Sequence, residues 1–256
     1  VGTTAVGLFN KADSLSQMPN GMVSGAVYHP MFRALSKEQD NLDKSRYLYF
    51  RALTLVCLYA LPFYVGLWWL AESFVLVVYG PKWQMAGAPL QILAMGGLFY
   101  AIENQSGAVA AAQNKLGIEL RIQLVSWGLM ALAIYTGLQF GLNGVAWGIL
   151  GVSAYNAVAM NWLAQRSLQA HWTKLFVALR PALILNGMLF AVLAALHSAV
   201  QPLEHSQPLL YLLSMAGGGA VFYLLVFLFL PLPGLVEEQV IWKRKIGLIS
   251  FQPNER

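Results

Sequence analysis

The sequence predicts an all-α, polytopic membrane protein, and three observations carry that prediction. Hydrophobic residues make up 58% of the chain and charged residues only 11%, whereas about 25% of the residues of a soluble domain are charged. Long uncharged runs recur along the chain, separated by turn-forming or charged residues. A helix of about 20 apolar residues is long enough to cross roughly 30 Å of hydrocarbon. We therefore predict about seven transmembrane helices in a single domain, residues 1–256.

The first predicted span, residues 7–32, is long enough to cross a bilayer but carries polar side chains at helical spacing. Asn10, Asp13, Gln17, Asn20 and Ser24 recur every three or four residues, which places them on one side of a helix. A polar stripe inside a membrane needs water or a polar partner. We therefore expect this helix to line a hydrated cavity through which a polar cargo passes.

The later spans are apolar on all sides. Residues 52–71 contain no charge, and neither do residues 122–165, which the turn-forming segment Gly141–Gly144 divides into two halves of a predicted antiparallel hairpin. The predicted spans are 7–32, 47–78, 84–113, 117–139, 143–166, 174–200 and 207–232. A charged connector, 33–46, is expected at the membrane surface, and a polar, basic tail, 233–256, follows the last span.

The charges of the loops predict the orientation of the spans. The loops on one side of the membrane hold 14 Lys and Arg residues, and the other side holds two, Lys11 and Lys82. Because loops rich in Lys and Arg stay in the cytoplasm, we predict that the connector and the C-terminus are cytoplasmic.

Charge and motifs argue against several classes of protein. The net charge of +5 comes from residues in short loops, so we expect no nucleic-acid partner. The single cysteine, Cys57, allows no internal disulfide, and the four histidines lack the spacing of metal ligands. The sequence contains no catalytic triad, phosphate-binding loop or zinc motif. We therefore expect no enzymatic activity, no cofactor and no metal.

Three stretches, taken in order, resemble a known family. Gly7–Ala12, Pro19 and Val27–Phe32 match its G-x-Y/F-x-x-A … P … P-x-x-S helix, Tyr79–Ala86 matches its fG-x-x-W-x-x-A helix entry, and Gly141–Ala146 matches its G-x-x-G-V-A turn. The family is the polysaccharide-transporter branch of the multidrug/oligosaccharidyl-lipid/polysaccharide exporter superfamily. Its lipid-linked oligosaccharide flippases include O-antigen and colanic-acid exporters.

This resemblance implies a flippase that moves an undecaprenyl-pyrophosphate-linked oligosaccharide across the bacterial inner membrane by alternating access. Such proteins have about 12 to 14 spans in two lobes around a cavity, and this chain resembles the C-terminal lobe of such a two-lobed exporter. Since the chain begins with Val1, we expect an N-terminal lobe to be missing. The implied partners are the cargo, membrane lipids, the missing N-terminal lobe and other glycan-assembly membrane proteins.

The candidate cavity-lining residues lie in the first and third spans. They are Asn10, Lys11, Asp13, Gln17, Asn20, Ser24, Tyr100, Glu103 and Asn104. A carboxylate in hydrocarbon costs about 3 kcal/mol or more, so Asp13 must be hydrated, paired or protonated. One alternative is that Asp13 pairs with Lys11 or with another helix and only holds the bundle together; another is that it lies close to the headgroups.

Asp13, Glu103 and Arg121 are the candidates for binding a pyrophosphate or a coupling ion. Glu103 either faces the cavity or pairs with Arg121. Arg121, close to a helix end, either binds the pyrophosphate or extends to the interface. Asn156 is expected to form a hydrogen bond between helices.

Other functions remain open at this stage. A drug or metabolite antiporter of the same superfamily would have a compact apolar and aromatic pocket with a carboxylate cluster. A non-transporting scaffold subunit of a glycan-assembly machine would have a dry, sealed bundle. A membrane glycan enzyme would need a catalytic loop, and the predicted external loops are only a few residues long.

Overall fold

The computed structural model describes residues 2–248, except for the side chain of His205. Within that range the chain forms α-helices and no strand, which confirms the predicted all-α class. The helices are α1 (Thr3–Lys37), α2 (Leu42–Tyr79), α3 (Gly87–Ala94), α4 (Gly97–Ala112), α5 (Leu116–Gly137), α6 (Gly141–Ser167), α7 (Trp172–Ser206), α8 (Pro208–Phe229) and α9 (Val236–Lys245). Val1 and residues 249–256, which end the predicted tail, lie outside the described residues.

Four helical stretches among the described residues are long and apolar enough to cross a membrane: Leu42–Tyr79, Leu116–Ser167, Trp172–Glu204 and Pro208–Phe229. The bent pair α3 and α4 makes a fifth if it counts as one span. The stretch Leu116–Ser167 holds both α5 and α6, each long enough to cross alone. Helix α1 has 35 residues but a polar stripe. The protein is a multi-pass membrane protein, and the count of seven spans and the cytoplasmic C-terminus stay predictions.

Helix α2 lies at the centre of the bundle. Helices α1, α3, α4, α7 and α8 all pack against it, and its side chains Leu53, Val56 and Cys57 are fully buried. Because lipid tails are as apolar as these side chains, the packing depends on close contact between helices rather than on exclusion of water. Small residues such as Ala52 and Ala60, both buried, permit that approach.

A buried set of hydrogen bonds joins α2 to α4 and α6. The Tyr49 hydroxyl donates to Asn161 Oδ1 at 2.9 Å and lies 3.0 Å from the Ser106 hydroxyl. Tyr49 and Ser106 are fully buried and Asn161 is nearly so. A buried hydroxyl without a partner would cost free energy, so these three side chains fix the relative position of three helices.

The stretch predicted as one span, 84–113, is broken in the structure. Helices α3 and α4 meet at an angle of 57°, with Met95 and Gly96 between them. A Cβ atom on Gly97 would overlap the ring of Tyr64 from α2. The glycine therefore lets the start of α4 press against α2, and the chain bends there.

Helices α5 and α6 form a close antiparallel pair, as the glycine-rich turn predicts. Gly141, at the turn, has a φ of 72°, which favours glycine. A Cβ atom on Gly137 would lie 2.8 Å from the carbonyl carbon of Gly144, and one on Gly148 would lie 3.0 Å from Ala133 Cβ. Successive contacts between positions 137 and 144 and between 133 and 148 show that the two helices run in opposite directions.

The tail begins with a docked helix. Gln239 of α9 donates to the carbonyl oxygens of Phe227 and Leu230, and Trp242 Nε1 donates to the Tyr59 hydroxyl of α2 at 2.8 Å. These bonds hold the end of α8 and the start of the tail against α2.

The close approach of α5 and α6 predicts a difference between two glycines of one helix. Gly137→Ala should lower the free energy of unfolding by about 1–3 kcal/mol, because the new methyl group would force the helices apart. Gly128→Ala is the matched control, because nothing lies within 4 Å of a Cβ there, and alanine stabilises an exposed helix position by up to about 1 kcal/mol. Thermal unfolding in detergent measures both. Equal effects of the two substitutions would contradict the close approach.

Candidate functional site

Six polar side chains from three helices form one patch, which we call the polar band. Each helix contributes two residues spaced three apart, which places both on the same side of that helix. The members are Asp13 and Ser16 of α1, Tyr100 and Glu103 of α4, and Ser153 and Asn156 of α6.

Contacts within the polar band run through Tyr100 and Glu103. The Tyr100 hydroxyl lies near the Ser16 and Ser153 side chains and within electrostatic reach of the Asp13 and Glu103 carboxyl groups. The Glu103 carboxyl group lies close to Asn156 and to Gln123 of α5. The packing of α4 against α1 and α6 therefore assembles the band from residues far apart in the sequence.

Several polar atoms at the band are buried without a protein partner. Within the described residues, the hydroxyl groups of Tyr100 and of neighbouring Tyr64 and the Asn156 Oδ1 atom lie near polar groups but form no well-aligned hydrogen bond. The rings of Tyr64 and Tyr100 are 6.4 Å apart. Leaving such an atom unpaired costs about 1–3 kcal/mol, so these groups call for water or a bound polar molecule.

The polar band borders an exposed face of α1. Asp13 and Glu103 are half-buried, as is Asn104. Asn10, Ser14 and Gln17 are exposed on α1 beside them. Water or a polar molecule reaching that face of α1 would therefore meet the two carboxyl groups of the band.

The structure divides the predicted stripe of α1 by depth. Asn10 and Gln17 are exposed and Asp13 is half-buried, but Asn20 and Ser24 are buried. The Ser24 hydroxyl donates to Asn20 Oδ1, so these two residues satisfy one another inside the helix. A cavity-lining role for the stripe stays a prediction. It now depends on the exposed half of the stripe, from Asn10 to Gln17.

Lys11 does not form the predicted alternative pair with Asp13. Among the described residues no ion pair involves either side chain. The Lys11 ammonium group instead lies 3.8 Å from the ring centroid of Tyr79 at the end of α2, a cation–π contact. Lys11 thus fastens α1 to α2, and Asp13 keeps its carboxyl group free of a cation.

Glu103 and Arg121 are likewise unpaired with each other among the described residues. Arg121 is exposed on the first turns of α5. Gln105, between the half-buried Asn104 and the buried Ser106, is itself fully buried. Of the polar run in the third predicted span, Glu103 is the residue that joins the band.

No metal centre is assembled by the part of the chain that the structure describes. No three His, Cys, Asp or Glu side chains within it come together in an arrangement that could hold a metal ion.

Sequence comparisons match this chain to one family model and to several curated proteins. A family model described as "Polysaccharide biosynthesis protein" matches residues 1–88, which include α1 and α2. An uncharacterized membrane protein in the cps region of Klebsiella pneumoniae is 29% identical over 125 residues, which are 49% of this chain and 26% of that protein. The lipopolysaccharide biosynthesis protein WzxC of Escherichia coli is 27% identical over 139 residues, 54% of this chain and 28% of WzxC.

A relative from Bacillus subtilis and a solved structure also match this chain. The teichuronic acid biosynthesis protein TuaB of Bacillus subtilis is 23% identical over 141 residues, 55% of this chain and 29% of TuaB. The lipid II flippase MurJ in an inward closed conformation superposes with a TM-score of 0.62 at 15% identity. The resemblance to the polysaccharide exporter family is confirmed.

The chain matches only part of the length of its relatives. The structural match covers 94% of this chain and 48% of the flippase chain, so the chain spans about half the length of that flippase. The chain therefore shares its fold with about half of the flippase chain. This extent agrees with the prediction that the chain is one lobe of a two-lobed protein.

Sequence reasoning missed several residues of the polar band in this exporter-like chain. Ser16, Ser153 and Gln123 were not candidates, and Asn156 was expected only to bond between helices. A serine in an apolar helix is a weak signal by itself, since its hydroxyl often bonds to its own backbone, as that of Ser153 does to the Ile149 carbonyl oxygen at 3.0 Å. The repeated spacing of three between polar residues on α4 and α6 was the available signal.

The exposed face of α1 predicts a periodic pattern of cysteine labelling. In the full-length protein in membranes, cysteines introduced at Asn10, Ser14 and Gln17 should react with a membrane-impermeant maleimide, because these positions are exposed beside polar groups. Cysteines at Ala12 and Ser16 should stay protected, because both side chains are fully buried.

The control for this labelling is Leu124→Cys on α5, whose side chain is 53% exposed among apolar neighbours. In lipid that position should not react. The native Cys57 is fully buried and gives no background. Uniform protection along α1, or labelling of Leu124→Cys equal to that of Gln17→Cys, would rule out a wet face on α1.

Proposed function

We propose that this chain is one lobe of a flippase that moves lipid-linked oligosaccharide across the bacterial inner membrane. The observation that carries the proposal is the polar band, where two half-buried carboxyl groups lie beside buried polar atoms, the Tyr100 hydroxyl and Asn156 Oδ1, that have no well-formed hydrogen bond within the described residues. These groups lie beside the exposed polar face of α1.

The physical problem of moving such a cargo explains what the band would do. A sugar chain carries many hydroxyl groups, and each one taken into hydrocarbon without a hydrogen bond costs several kcal/mol. The Asp13 and Glu103 carboxylates accept hydrogen bonds, and Tyr100 both donates and accepts them. The polyprenyl tail needs no such surface and stays among the lipids.

The relatives support this choice of cargo class. The matched proteins belong, by name, to lipopolysaccharide and teichuronic acid biosynthesis, and the structural match is a lipid II flippase. Two of these names, lipopolysaccharide and lipid II, include a lipid, and a lipid-linked glycan is the cargo class that we propose. The same relationship supports an inner-membrane location and a transport role rather than an enzymatic one.

Two lobes would be needed for transport. The chain matches 48% of the flippase chain, and we propose that a second lobe faces the exposed side of α1 and closes the cavity. Rocking of one lobe against the other would expose the band alternately to each side of the membrane. Arg121, exposed at the start of α5, is positioned to attract a pyrophosphate from the side predicted to be cytoplasmic.

Removing the carboxylates of the band should impair export. Asp13→Asn and Glu103→Gln in the full-length protein should each lower the export of the surface glycan about tenfold, because a hydrogen bond to a charged group contributes about 1.5–3 kcal/mol. Export is measured as surface glycan in a strain deleted for the protein and complemented with each variant, at equal membrane abundance.

Asp40→Asn is the matched control, because it removes a carboxylate from an exposed connector position, and it should export as the wild type does. Wild-type export by both band variants would contradict the flippase proposal. Loss of a glycan-assembly complex with unchanged flipping in vesicles would favour the scaffold. Wild-type glycan export combined with lost drug resistance would favour the antiporter.

A further inference from the structure

A second polar site lies at the ends of α2, α7 and α8, away from the polar band. A groove of about 960 Å³ is lined there by the first turns of α2 and α7 and by the segment that follows α8. We call it the basic groove. Helices α1 and α4 of the band pack against α2, and so does α7, but among the described residues α7 makes no substantial packing with α1 or α4. Helix α2 therefore separates the two sites.

Four cationic side chains line the basic groove: Arg46, Arg51, Lys174 and Arg180. Two carboxylates, Asp43 and Glu237, line it as well. The rim of the groove therefore carries a net positive charge on the side of the membrane that the loop charges predict to be cytoplasmic.

The two arginines of α2 are held in place by other groups. Arg46 Nε donates to the Leu168 carbonyl oxygen at 2.7 Å. Arg51 donates to the Gly234 carbonyl oxygen at 2.9 Å and to Glu238 at 2.8 Å. These bonds join α2 to the end of α6 and to the tail, so Arg46 and Arg51 have a structural role in shaping the groove.

Lys174 and Arg180 are different. Both lie on the first turns of α7 and are exposed, and neither forms an ion pair within the described residues. Their charges are available to a ligand, and removing them breaks no contact that holds the fold.

The groove continues into an apolar surface of α7. Val177 and Ile184 line it and are 71% and 38% exposed, and Phe176 beside them is 66% exposed. The Thr54 hydroxyl donates to the Ala178 carbonyl oxygen at 2.9 Å, which fixes the distance between α2 and α7 at the groove. A molecule with an anionic head and apolar chains complements this combination of surfaces.

We propose that the basic groove binds an anionic phospholipid of the cytoplasmic leaflet, with its phosphate between Lys174 and Arg180 and its acyl chains along Val177 and Ile184. Cationic pockets between membrane helices attract anionic headgroups in this way. A zwitterionic lipid would bring an ammonium group to the same cations and bind less well. The phosphate of the cargo is not the ligand, because α2 separates the groove from the polar band.

Native mass spectrometry of the full-length protein in detergent tests the proposal, with phosphatidylglycerol and phosphatidylethanolamine as the added lipids. The wild type should bind one phosphatidylglycerol in preference to phosphatidylethanolamine. The double variant Lys174→Gln/Arg180→Gln should bind phosphatidylglycerol about thirtyfold more weakly, because each of the two cations near the membrane surface contributes about 1 kcal/mol.

Lys243→Gln/Lys245→Gln is the control, because it removes the same charge from α9 outside the lining of the groove, and its binding should match that of the wild type. Equal weakening in both double variants would show non-specific attraction and overturn the site. Unchanged binding in the groove variant would also overturn it, as would equal binding of the two lipids. If undecaprenyl pyrophosphate lost binding in the groove variant as phosphatidylglycerol does, the groove would be a cargo site and the proposal would be wrong.

Discussion

A polar side chain placed in hydrocarbon must find a hydrogen-bonding partner, and this requirement separates the polar residues of the chain into two groups. The Tyr49 hydroxyl meets it by bonding to Ser106 and to Asn161 Oδ1, and the Ser24 hydroxyl meets it by bonding to Asn20 Oδ1 within α1. Tyr100 and Asn156 at the polar band leave atoms without a protein partner among the described residues, and so do Gln105 and Gln165 outside it. The bonds of Tyr49 hold three helices together, and we infer that the unpartnered groups of the polar band serve a molecule that is not part of the chain.

Helix α2 is the element against which helices of both polar surfaces pack. It packs against five other helices, and the close approach of Gly97 to Tyr64 fixes the start of α4, the helix that carries Tyr100 and Glu103. On its other side α2 holds α7 and the tail through Thr54 and Arg51. The polar band and the basic groove are thus two surfaces of one helix assembly, and a lobe that rocks as a unit would carry both.

Much of the helical architecture could be predicted from local sequence. The apolar runs and the Gly141–Gly144 turn predict helices and a hairpin, because length and turn chemistry are local properties. The break between α3 and α4 could not be predicted, because it depends on the ring of Tyr64 on another helix. Docking of the tail depends likewise on a distant partner, since Trp242 bonds to Tyr59 of α2.

The candidate site could be predicted only in part, for a similar reason. Helical spacing identified the side of α1 that carries Asp13 and Gln17, but spacing gives a direction and no depth, so the burial of Asn20 and Ser24 was not foreseen. Ser153 and Asn156 joined the site through the packing of α6 against α4, which no single segment encodes. Family resemblance named a cargo class, and the positions of these side chains provide the surface that could hold it.

The claim that the exposed polar face of α1 borders water is tested most directly by spin labelling in a bilayer. A nitroxide attached through Gln17→Cys in the full-length protein, reconstituted in nanodiscs, would be compared with one attached through Leu124→Cys on α5. We predict that a water-soluble nickel complex relaxes the label at position 17 more effectively than oxygen does, and that the order is reversed at position 124. Greater relaxation by oxygen at both positions would place α1 in lipid and contradict the account.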